Sequence, residues 1–108
     1  MSLGGMMAEH PHWLKVLQTN DQKLFDTVCD LQELVTSDNA LSRKTKMLMM
    51  MLGDAFLARP NGVRILANRA RSFGATEEEI VETIQVGYYM GGLSVLFPGL
   101  NAFDEVPL

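Results

Sequence analysis

Only one cysteine, Cys29, occurs in the 108 residues. A lone thiol excludes an intrachain disulfide and a Cys-x-x-Cys redox pair. It fits a reducing compartment, so a cytoplasmic location is expected. Cys29 sits between Val28 and Leu31 in an apolar-periodic stretch, with no adjacent His, Lys or Arg to lower its pKa. It reads as a small buried hydrophobe rather than a nucleophile. Basic charge is also scarce: nine Lys and Arg face thirteen Asp and Glu, for a net charge of −4. That balance lacks the basic footprint of a nucleic-acid binder. Arg64, Arg69 and Arg71 cluster on one helical stretch whose other face is apolar, which reads as a solvated or interface face. Histidine is limited to His10 and His12. Two imidazoles without a third ligand do not make a metal site, and neither metal nor cofactor is expected. Long apolar runs are missing too. Met47–Ala58 is interrupted by Asp54, and Val86–Leu100 carries four glycines and Pro98. Both fall short of the ~20 residues a bilayer requires, so no membrane span is expected. Strand-like alternation, internal repeats and low-complexity tracts are absent as well.

What is present is helical periodicity from end to end. Residues 1–9 read as a flexible leader, 10–105 as a single domain and 106–108 as a tail. A short helix around His12–Gln18 turns Trp13, Val16 and Leu17 inward. Leu24, Phe25, Val28, Leu31, Leu34 and Val35 then repeat at amphipathic spacing, capped by Asn20 or Asp21 and ended by Ser37-Asp38-Asn39. Ser42 is the N-cap of a third helix running to about Ala58. Between Met47 and Leu57 that helix is apolar nearly all round. Such a helix needs cover on every side. Two readings are open: a central core helix, or a helix completed by a partner subunit, which its methionines would suit.

Arg59-Pro60-Asn61-Gly62 breaks the chain, with Pro60 able to open the next helix. Val63, Leu66, Ala67, Ala70 and Phe73 mark that helix's buried face, and Gly74 stops it. Thr76-Glu77-Glu78-Glu79 is a capping box, which gives those acids a structural explanation. Ile80, Val81, Ile84 and Tyr88 form the next buried face. Gly87 and Gly91, four apart, let another helix approach closely. A final helix from Leu93 to Phe103 is interrupted or kinked by Pro98. The expected class is all-α, with five to six helices.

Leu41-Ser42-Arg43-Lys44-Thr45-Lys46, Gly74-Ala75-Thr76 with its glutamates, and Tyr89-Met90-Gly91-Gly92 occur in this order. The segment from Ala40 to Phe103 that carries them resembles the carboxymuconolactone decarboxylase and alkyl hydroperoxidase D-like family. The resemblance implies an all-α domain that forms homo-oligomers, trimers or hexamers, through its helices. In the peroxidase branch a Cys-x-x-Cys-x-x-x-His motif precedes the Gly-Ala-Thr turn, with a glutamate upstream. Counting back from Gly74, the histidine position is Leu66, the cysteine positions are Gly62 and Arg59, and the glutamate position is Met47. A thiolate that attacks peroxide, a resolving thiol and a proton relay are therefore all missing. The decarboxylase branch keeps a histidine where Leu66 stands and often an arginine where Arg59 stands.

The polar residues left to build a site are Asp54, Arg59, Asn61, Tyr88 and Tyr89. Asp54 is the odd residue of the apolar helix, and a buried carboxylate requires a partner. Arg59 is the nearest cation in sequence. Two functional readings follow. One is a family member of uncertain activity, an oligomeric, non-redox protein that binds a small molecule such as an organic acid. The other is a lyase or isomerase of decarboxylase type acting on a small carboxylic acid or lactone, with Arg59 gripping the carboxylate. A third possibility is a purely structural subunit.

Overall fold

The computed structural model describes residues 11–104. The leader and tail expected at 1–9 and 106–108, together with His10, lie outside the described residues. Within them the chain is all-α, with six α-helices and a closing 3₁₀ helix. They fall into two compact units that divide between Asp38 and Asn39.

The first unit holds α1 (His12–Asn20) and α2 (Gln22–Thr36). Asp21 separates them and caps α2, its side chain accepting from the Leu24 amide at 2.9 Å. Leu14 and Phe25 are buried, with Leu17 and Cys29 packed against them. The inward face of α1 is therefore centred on Leu14. Trp13 and Val16, expected inside, are 52% and 46% exposed. Heptad-like spacing marks an apolar stripe, but the partner helix selects which edge of it is covered. On α2 only Phe25 of the periodic set is buried, and Leu24, Leu31, Leu34 and Val35 remain exposed.

The second unit is built on α3 (Arg43–Phe56), which packs against α4 (Pro60–Ser72), α5 (Glu77–Gly91) and α6 (Leu93–Gly99). Ser42 caps α3 through the Thr45 amide at 3.1 Å. Met47, Met51 and Ala55 recur every four residues and form the buried face of α3. Its opposite side is bare: Met49, Phe56 and Leu57 are exposed. Val63, Leu66, Ala67 and Ala70 of α4 lie against that core. Pro60 stands in the first turn of α4, where its missing N–H costs nothing.

Gly74 ends α4 at φ +98°, a conformation that favours glycine. Thr76 and Glu79 close the capping box at 3.1 and 2.9 Å. Along α5 the buried face is Ile80, Ile84 and Gly87. Val81 and Tyr88, expected inside, are exposed because the bare backbone at Gly87 takes the contact with Leu52 and Val95. Gly91 opens the same surface to Val95 and Phe56. After Pro98 the last helix tightens into the 3₁₀ helix Leu100–Phe103, which packs on α4. Arg71 fastens that end. Its guanidinium grips Glu77 at 2.7 and 2.8 Å and donates to the Ala102 carbonyl at 2.8 Å.

Candidate functional site

The corner between α3 and α4 brings Asp54, Arg59, Asn61 and Gly62 into one short stretch, and local backbone chemistry shapes it. Helix α3 ends in a Schellman motif. The Ala58 amide donates to the Ala55 carbonyl at 3.2 Å, and the Arg59 amide donates to the Asp54 carbonyl at 2.9 Å. This motif needs a left-handed residue at the position whose amide makes the inner of the two bonds. Here it is Ala58, at φ +55°, where glycine is usual. An L-residue in that region costs about 1–2 kcal/mol. The same motif at the end of α4 uses Gly74, with the Ala75 amide donating to the Ala70 carbonyl at 2.9 Å.

In most such motifs an apolar contact joins the two flanking side chains. Here an ion pair replaces it. The Arg59 guanidinium stands 3.6 Å from one Asp54 carboxylate oxygen. The pair is asymmetric: the Asp54 side chain is 19% exposed and that of Arg59 is 65% exposed. The other carboxylate oxygen of Asp54 lies against the bare backbone of Gly62. A Cβ at that position would meet it at 2.0 Å. Asp54 thus fills the room left by the missing side chain of Gly62. Asn61 is exposed, and its oxygen accepts from Arg64 at 3.4 Å.

Tyr88 is not part of this corner. It lines an apolar groove of about 270 Å³ with Val81, Ile84, Gln85, Leu96 and Phe103, and none of Asp54, Arg59 or Asn61 lines that groove. Tyr89 is 87% exposed. Met47 is fully buried and Leu66 is 8% exposed, both in the core of the second unit. Neither side chain can carry a proton, and both serve as packing.

Among the described residues Cys29 has no activating neighbour. Burial against the Leu14–Phe25 cluster, followed by the carboxylates of Asp26 and Asp30, pushes its thiol above its ordinary value. A thiol shifted upward is a poor nucleophile. His12 is exposed on α1. Among the described residues no group of three or more His, Cys, Asp or Glu could hold a metal ion. No helix among them is long and apolar enough to cross a membrane.

Sequence reasoning selected Asp54 and Arg59 by their chemistry. It missed the two residues that hold them. Ala58 carries no signal because alanine does not announce a left-handed backbone. Gly62 reads as ordinary punctuation after Pro60, and only the approach of Asp54 shows why a side chain is absent there.

Residues 22–105 match the model of the carboxymuconolactone decarboxylase family. An uncharacterized protein from Methanocaldococcus jannaschii is 27% identical over 93 residues, which cover 86% of this chain and 87% of that protein. The fold is similar to the crystal structure of a putative carboxymuconolactone decarboxylase from Burkholderia xenovorans. The TM-score is 0.83 at 22% identity, covering 92% of this chain and 78% of that one. At that identity the likeness speaks to the fold alone. A carboxymuconolactone decarboxylase family protein from Legionella pneumophila, solved in its apo form, gives a TM-score of 0.77. It is 28% identical and covers 83% of this chain and 80% of its own.

Proposed function

This chain belongs to the carboxymuconolactone decarboxylase family, and we propose that within it the protein works without thiol chemistry, as a homo-oligomer that binds a small organic acid at the Asp54–Arg59 corner. The observation that carries this reading is the seating of Asp54. Its carboxylate occupies the space above Gly62 and meets the Arg59 guanidinium at 3.6 Å. The guanidinium is planar and has five N–H donors. With 65% of the side chain exposed, its outer edge can take a carboxylate in the bidentate geometry that arginine favours. Asp54 holds the arginine in place while that edge stays open.

The exposed apolar surface supports assembly. Met49, Phe56 and Leu57 around α3, Met90 at the end of α5 and Leu93 at the start of α6 are all more than 45% exposed. Surfaces of this kind mark contact sites when they are contiguous. The single cysteine, raised above its ordinary pKa, supports a non-redox role in a reducing cytosol.

The test is carboxylate binding followed by thermal shift and calorimetry, with benzoate and succinate as probes. Binding by the wild-type protein is expected to be lost in Arg59→Ala and only weakened in Arg59→Lys, which keeps the charge but not the fork. Carboxylate binding that survives Arg59→Ala would remove the site. Peroxide turnover with a dithiol reductant, abolished by Cys29→Ser, would remove the non-redox assignment. Sedimentation equilibrium tests the assembly, and a monomer at micromolar concentration would refute it.

A further inference from the structure

We infer that Gly62 is a positioning residue: the absence of a side chain there is what allows Asp54 to hold Arg59. Gly62 is the third residue of α4, which runs from Pro60 to Ser72. Its backbone is not in the left-handed region, since the only positive-φ glycines among the described residues are Gly74 and Gly92. Conformation therefore does not require glycine at 62. Helix propensity argues against it, because glycine is the worst helix former after proline. Space supplies the reason. A Cβ at 62 would stand 2.0 Å from one Asp54 oxygen, 2.8 Å from the carboxyl carbon and 3.4 Å from the Asp54 Cβ. No other residue comes within the three nearest contacts.

The intruding atoms belong to the far end of a side chain that can rotate. A methyl group at 62 therefore displaces the carboxylate rather than breaking the helix–helix corner. The backbone half of the corner, the Arg59 amide on the Asp54 carbonyl at 2.9 Å, survives that displacement. The side-chain half, the 3.6 Å ion pair, does not. Gly62 and the charge pair are thus coupled: filling the first removes the second. The consequence for ligand binding rests on the reading of Arg59 as the carboxylate grip, whereas the coupling itself does not.

The experiment is a double-mutant cycle on the full chain at one protein concentration. Wild type, Gly62→Ala, Asp54→Ala and the double variant are compared by urea unfolding. In parallel, the Arg59 Nε–H resonance is followed by NMR and succinate binding by calorimetry. Gly62→Ala is expected to raise the urea midpoint little or not at all when Asp54 is present, because loss of the half-exposed ion pair offsets the gain in helix propensity. In the Asp54→Ala background the same change is expected to raise it clearly more, because the space is free and alanine favours helix. The Arg59 resonance is expected to move in Gly62→Ala toward its place in Asp54→Ala, with a far-UV spectrum like that of wild type. Equal effects of Gly62→Ala in both backgrounds, or an Arg59 resonance unmoved by it, would overturn the inference. A larger gain from Gly62→Ala in the Asp54→Ala background with a shifted resonance, in a protein that never binds succinate or benzoate, would uphold the positioning role and refute the binding site alone.

Discussion

Two glycines inside helices separate local propensity from tertiary packing. Gly53 lies in α3 and Gly87 in α5, each within a helix interior. Intrinsic propensity treats them alike: replacing either by alanine should stabilise by about 1 kcal/mol. Their surroundings differ. Nothing lies within 4 Å of a Cβ built at Gly53. At Gly87 the same atom would stand 2.8 Å from Leu52 Cδ1 and 3.0 Å from Val95 Cγ1. Val95 is 4% exposed, in the core of the second unit. Overpacking of this kind costs about 1–3 kcal/mol. Gly53→Ala should therefore gain close to the full propensity term. Gly87→Ala should end at a net loss of about 1 kcal/mol. For a domain of this size such changes shift the melting temperature by about 4–8 °C per kcal/mol. The assay is unfolding by heat and by urea, followed by circular dichroism at several protein concentrations. A concentration dependence confined to one variant would place its glycine at a subunit contact. The decisive quantity is the difference between the two variants, from which the shared propensity term cancels. If both raise the midpoint equally, α5 does not approach α3 and α6 as closely as described, and the packing account of Gly87 is wrong.

Three further outcomes follow from single sites. Ala58→Gly should stabilise by about 1 kcal/mol, because it relieves an L-residue held at φ +55°, and a loss measured by urea unfolding would contradict the Schellman assignment. Glu77 is held below the ordinary carboxylate range by its hydrogen bonds from Arg71, and Glu79 by Lys44 and then by the Thr76 amide. The folded state then binds fewer protons than the unfolded state, so stability is present above the unfolded pKa, about 4.3, and falls as pH drops through the lower folded values. Urea midpoints measured from pH 7 to pH 3 should decline below about pH 4.3 and decline less in Glu79→Gln, and a flat profile would refute the role of these contacts. Cys29, raised by burial and by Asp26 and Asp30, should be alkylated by iodoacetamide at pH 7 more slowly than an unstructured cysteine peptide; an equal or faster rate would contradict its environment.

Much of the helix punctuation was readable one residue at a time because capping is local. Ser42, Asp21, Pro60, Gly74 and the Thr76–Glu79 box act within one turn of themselves, and each does what its chemistry suggests. The buried faces were readable only approximately. Periodicity placed an apolar stripe on α1 and on α5, but burial fell on Leu14 rather than Trp13 and Val16, and on Gly87 rather than Val81 and Tyr88. A stripe is wider than the strip a neighbouring helix can cover, and the sequence of one helix does not say where its neighbour lies.

The candidate site divides in the same way. The sequence alone determined that a single cysteine leaves no thiol pair, and that Asp54 and Arg59 were the unusual polar residues of their stretch. Both conclusions depend only on which atoms each residue type carries. Tertiary structure alone decided that Ala58 would turn left-handed to join Asp54 to Arg59. It alone decided that Gly62 would be left empty so that a carboxylate could lie there, and that Tyr88 would line a groove without them. Those facts concern the space between helices, and that space exists only once α3 and α4 have packed.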